Sequence, residues 1–167
     1  MSGTLSGTLL VVLTFCTAIG CGLIAGVFFA FSSFVMRALD RLPAPQGIAA
    51  MQSINVLAVT PVFMTALFGT AAACLLLGGS AFFVWQRPGA GYLLIGSLFY
   101  VVGTVLVTIL FNVPRNDALA AVDPASADGA RIWADYVSSW TAWNHMRTVA
   151  AVVAATLLTV GFCVLRR

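Results

Sequence analysis

The sequence has no Lys and no Glu, and a single His among 167 residues. Its eight basic residues are all Arg and its five acids are all Asp, so charged side chains make up only 8% of the chain. A soluble domain carries about 25%, and an ordinary hydrated surface is therefore missing. That shortage excludes a soluble enzyme, a disordered tail and a nucleic-acid binder with a basic groove. The lack of Glu and the lone His leave too few ligands for a stable metal centre. Cys16, Cys21, Cys74 and Cys163 show no CxxC spacing, lie in apolar runs and read as buried free thiols. There is no Gly-rich phosphate loop, and no acid within the apolar runs of the kind a proton-coupled exporter uses.

Hydrophobicity is what the chain has in excess: 61% of residues are hydrophobic and the mean hydropathy is +1.04. Charge-free runs cover Met1–Met36 (36 residues), Leu42–Gln86 (45), Pro88–Pro114 (27) and Thr148–Leu165 (18). About 20 apolar residues cross a hydrocarbon core, so each run holds a helix. The longest run has the length for two, but its first part, LPAPQGIAAMQSIN, is too polar and Pro-rich for one. The expected fold is all-α, a single integral membrane domain over residues 1–167. Its four transmembrane helices fall at about 9–35, 56–84, 92–113 and 147–164. The second would be roughly 43 Å long, so it tilts or protrudes. The first run is too long for a cleavable signal and no basic residue precedes it, so it reads as a retained helix.

Between the third and fourth helices, Trp133, Tyr136, Val137 and Trp140 recur at i, i+3, i+4 and i+7, opposite Arg131, Asp135, Ser138 and Ser139. This predicts an amphipathic helix over about 129–140, lying in the membrane interface. Gly22, Ala25, Gly26 and Ala150, Ala151, Ala154, Ala155 are spaced for close helix contact, within one chain or in a homo-oligomer. The termini share one side with Arg87, Arg166 and Arg167; Arg37, Arg41, Arg115, Arg131 and Arg147 fall on the other with all five Asp. Counting Arg and counting net charge point opposite ways, and several of the five Arg look recruited to a site. The termini are therefore placed in the cytoplasm, across a bacterial inner membrane. The lipid bilayer is the expected surrounding partner.

The few polar residues collect at helix ends on that second side. Arg37 closes the first helix, Gln52 and Asn55 precede the second, and Asn112, Arg115 and Asn116 follow the third. Asn144, His145, Arg147 and Thr148 open the fourth. With Asn144 at 0°, helical spacing puts Thr148 at about 40°, His145 at about 100° and Arg147 at about −60°, a broad polar face. A base and several donors beside an apolar cavity suit proton abstraction from a hydrophobic carbon acid. His145 would take the proton, while Arg and Asn donors hold the enolate oxygen. No metal or cofactor is expected, although haem ligated by His145 stays open.

The runs GVFFAFSSFVMRAL, GIAAMQSINVLAVTPVF, FNVPRNDALAAVD and WADYVSSWTAWNHMRT, in this order, resemble the anthrone oxygenase family. FNVPRND and WNHMRT are the most specific, being unusual polar strings at the ends of membrane helices. The resemblance implies a four-helix membrane protein whose relatives oxidise an anthrone to an anthraquinone with O2 and no known cofactor. It implies functional positions at Asn112, Arg115, Asn116, Trp143, Asn144, His145 and Arg147, with Gln52, Asn55 and Arg37 around them. Trp140, Trp143 and Tyr136 would stack on the flat substrate or, equally, anchor the chain in the membrane interface. A second reading is a non-catalytic membrane protein, binding a lipid, quinone or haem or serving as an accessory subunit. A third makes the polar layer structural glue.

Overall fold

Pro and Gly punctuate the chain at its connections, and the helices begin where they permit. The computed structural model describes residues 2–166, with side chains from Gly7 onward. Five helices follow: α1 (Gly7–Asp40), α2 (Ala44–Leu57), α3 (Pro61–Phe83), α4 (Ala90–Ala120) and α5 (Gly129–Leu165). All but α2 are long and apolar enough to cross a membrane. Thr60, held extended by the proline after it, caps α3 by accepting from the Phe63 N–H at 3.4 Å. Gly89, at φ +103°, turns α3 into α4, where a Cβ would stand 3.3 Å from the Gly161 carbonyl oxygen.

The four spans stand where the apolar runs put them, but three boundaries differ. Residues 129–140 do not form a separate interfacial helix; they are the first turns of α5. No Gly or Pro interrupts the chain from Ala130 to Val160, so nothing stops the helix before Arg147. The polar stretch before the second span is itself helical, as α2, and the span starts at Pro61 rather than Val56. The third helix continues through Pro114 to Ala120, after a widened π turn at Thr108–Asn112. Such a turn re-spaces the backbone ahead of a residue that cannot donate a hydrogen bond.

α5 is 37 residues long, roughly 56 Å, against a hydrocarbon core of about 30 Å. The excess carries a cap. In the bundle, Cys21, Ile24, Phe28, Leu67, Cys74, Leu77, Leu93, Tyr100 and Leu158 pack into one core. Above it, Met36, Ile48, Met51, Leu119, Trp133, Tyr136 and Trp140 form a second, built by α2, the ends of α1 and α4 and the start of α5. The amphipathic face of residues 133–140 is thus buried against α2 and α4. On its outer side Arg131 and Asp135 pair at 3.6 Å. Cys21 and Cys74 are buried, whereas Cys16 and Cys163 are exposed.

α1 and α5 run antiparallel: Ser32 meets Thr148, and the Phe15 ring lies tilted against that of Phe162. Ala150, Ala151 and Ala154 are buried in the bundle, but Gly22 and Gly26 face open space. α4 packs closely on α5 at Gly103, where an added Cβ would sit 2.5 Å from the Ala150 Cβ. Gly103→Ala is expected to cost about 1–3 kcal/mol and lower the thermal unfolding midpoint in detergent. Gly79→Ala, which meets no atom within 4 Å, should leave the midpoint unchanged or slightly raised.

Candidate functional site

Between the two cores lies a cavity of about 440 Å³. Its apolar walls come from Phe28 and Phe31 of α1, Met51 and Ile54 of α2, and Phe63 and Leu67 of α3. The connection between α2 and α3 closes one side with Ala58 and Val59. Four polar residues interrupt these walls: Asn55, Thr108, Asn116 and Arg147. Among the described residues no carboxylate, imidazole or thiol lines the cavity.

Arg147 dominates the site. It is 5% exposed, and its guanidinium carbon lies 3.9 Å from the Phe28 ring centroid and 4.8 Å from that of Trp140. These π faces attract a cation, although no carboxylate reaches it; the one ion pair among the described residues is Arg131–Asp135. Arg147 Nε donates to Asn144 Oδ1 at 2.9 Å and Nη1 to Thr108 Oγ1 at 3.3 Å.

Behind it the hydrogen bonds run in one direction. Asn144 Nδ2 donates to Ser32 Oγ at 2.6 Å and to the Phe28 carbonyl at 2.9 Å. Thr148 donates to the Asn144 carbonyl at 2.7 Å, so Ser32, 3.0 Å from the Thr148 hydroxyl, donates to it. Each donor is thus used to hold the next group. The clamp fixes the guanidinium of a residue that lines the cavity and leaves it N–H donors to spare.

Asn116 is oriented with equal definition. Its Oδ1 accepts from Tyr136 Oη at 2.9 Å and from Trp140 Nε1 at 2.8 Å. The indole can only donate, so the amide cannot be turned round, and Nδ2 is the donor that remains on this cavity-lining residue. Asn55 also lines the cavity; its side chain lies against the Tyr136 hydroxyl, and its buried Nδ2 makes no hydrogen bond of good geometry in the protein. An unpaired buried donor costs about 1–3 kcal/mol, a penalty that a ligand oxygen relieves. A flat apolar molecule with a negative oxygen matches this combination.

The residues singled out from sequence divide. Arg147, Asn116, Asn55 and Trp140 line the cavity, and Asn144 and Tyr136 orient them. Asn112, wholly buried, donates to the Trp140 carbonyl at 3.2 Å. Gln52 donates to the carbonyls of Leu119 and Val122, both at 2.9 Å, and so ties α2 to the end of α4. Trp143 stacks on Phe111 at 3.6 Å with Arg115 above it at 6.0 Å, away from the cavity. His145 and Arg37 are exposed and share a separate groove. Among the described residues, no three His, Cys or Asp side chains come close enough to share a metal ion.

Sequence reasoning missed Thr108, Ser32 and Phe28. Thr104, Thr108 and Asn112 form an i, i+4, i+8 polar stripe in an otherwise apolar helix, and that spacing was the available signal.

A family model described as anthrone oxygenase matches residues 59–157, more than half of the chain. The match includes Thr108, Asn116, Trp140 and Arg147 but not the cavity walls contributed by α1 and α2. No curated protein and no solved structure matches. Asn144→Ala would leave Arg147 Nε and the Phe28 carbonyl without their partner. It is expected to lower unfolding stability by about 1–3 kcal/mol, read by thermal or denaturant unfolding.

Proposed function

The chain belongs to the anthrone oxygenase family, and on that premise we propose that it oxidises a flat, hydrophobic anthrone- or phenol-type polycycle with O2 to a quinone. The observation that carries the reading is the buried guanidinium with no carboxylate, facing an apolar cavity of about 440 Å³. A buried cation lacking a counter-charge costs several kcal/mol, and an enolate oxygen would supply that charge. Arg147 would bind this oxygen, while Asn116 and Asn55 donate to it or to a second oxygen on the ring system. These donors are held before the substrate arrives, so they stabilise the anion without reorganising.

His145 lies outside the cavity, roughly 160° around α5 from Arg147. The reading therefore does not use it as the base. The substrate reaches the enolate through its enol tautomer, whose hydroxyl proton passes to water at the cavity mouth. Arg147 draws that ionisation forward by binding the anion.

The electron-rich carbon of the enolate then transfers an electron to O2. The resulting radical pair joins in a carbon–oxygen bond, and the peroxide takes up a proton. Loss of the second proton from the same carbon breaks the O–O bond and releases water. One CH2 and one O2 thus become one C=O and one H2O.

Purified protein in lipid nanodiscs, given an anthrone and O2, should consume oxygen and form the quinone absorbance in a 1:1 ratio. Arg147→Lys keeps the charge but loses the planar fork, and turnover should fall about 10²–10³-fold. His145→Ala should keep turnover within about twofold of the unaltered protein. Binding of the anthrone without oxygen uptake, or loss of turnover in His145→Ala, would overturn this account.

A further inference from the structure

A second concavity lies on the outer side of the α1–α5 pair. It is a groove of about 290 Å³ to which α1 contributes Ser32, Arg37 and Asp40, and α5 contributes Ser138, Thr141 and His145. The reaction proposed above uses none of its charged groups.

The groove stands at a defined depth. His145 precedes Leu165, the last residue of α5, by 20 positions. That is roughly 30 Å along the helix, the thickness of a hydrocarbon core. The groove therefore sits in a headgroup layer when the opposite end of α5 meets the other membrane surface.

Its charges are unspent. Arg37 and Asp40 lie three residues apart on one helix, both exposed and both lining the groove, yet they form no ion pair. His145 is the other titratable group there. Behind the groove wall lies an unpaired hydroxyl. Thr14, Thr17, Thr108, Thr148, Thr156 and Thr159 each donate to the carbonyl four residues back. Thr141 Oγ1 is buried and has no partner.

Below the groove the same face becomes apolar. Ser138, Thr141, His145, Val149 and Val152 align within about 80° around α5. Val149 and Val152 are 62% and 47% exposed, a track leading from the polar groove towards the middle of the membrane.

We infer that this groove binds a glycerophospholipid whose headgroup carries a phosphate and a primary ammonium. Arg37 and the His145 imidazole receive the phosphate. Asp40 receives the ammonium, and an acyl chain runs along Val149 and Val152. A primary ammonium donates hydrogen bonds to a carboxylate, which a quaternary choline cannot do. Ser32 lines this groove and also accepts from Asn144, the residue that fixes Arg147, so the bound headgroup adjoins the clamp of the neighbouring cavity.

The test is competition for the whole, delipidated protein among phosphatidylethanolamine, phosphatidylcholine and phosphatidylglycerol in equal amounts, with retained lipid counted by native mass spectrometry. Phosphatidylethanolamine should be retained roughly fivefold over phosphatidylcholine, the effect of one exposed charge pair. Asp40→Asn should erase that preference, and Arg37→Gln should reduce retention of all three lipids. Both side chains are exposed, so matching thermal midpoints will show that the variants fold. Equal retention of the ethanolamine and choline lipids, or a preference that survives Asp40→Asn, would overturn the assignment. So would displacement of the lipid by an equal concentration of free phosphoethanolamine, which would make the groove a site for a soluble ion.

Discussion

A buried cation without a counter-charge organises this protein. Arg147 is buried, and among the described residues no carboxylate pairs with it. What holds it instead is a set of weaker, directional contacts: two aromatic faces, an amide oxygen and a hydroxyl. Each comes from an element that must be placed to deliver it. The widened turns at Phe31–Val35 and Thr108–Asn112 fall where α1 and α4 present Ser32 and Thr108. Asn144 reaches across to α1 and binds both the Phe28 carbonyl and Ser32. The residual charge is left for whatever enters the cavity.

Helical geometry also explains why polar residues that are close in sequence act in different places. Asn144, Arg147 and Thr148 face inward, while His145 faces the other way and joins Arg37 and Asp40. One polar string therefore serves two concavities, and Ser32 stands between them. Counting polar residues at one level of the membrane finds both; only the rotation about α5 separates them.

Much of the fold was legible because the apolar runs are long and free of charge. The spans of α1, α3, α4 and α5 follow from that alone. The boundaries were less legible, since they depend on the cap. Residues 129–140 have an amphipathic pattern that suits a membrane surface, but α2 supplies a protein surface for it, with Ile48 and Met51 packing beside Trp133 and Tyr136. Arg147, Asn116 and Asn55 could be picked out as polar residues in apolar surroundings. The orientation of Asn116 could not, because it depends on two donors from α5. His145 drew notice as the lone imidazole, and its i+1 position after Asn144 was the sign that it could not share the inward face.

The uninterrupted α5 has a mechanical consequence. It runs through bundle and cap as one rod, so these two layers cannot hinge apart along it. α1 and α4 likewise pass from one layer into the other without a break in helix. Among the described residues, Ala58–Thr60 is the one place where the chain beside the cavity leaves helical geometry, and Val59 there is 68% exposed. The cavity is thus walled by continuous helices on every side but one, where a short stretch of non-helical backbone completes it.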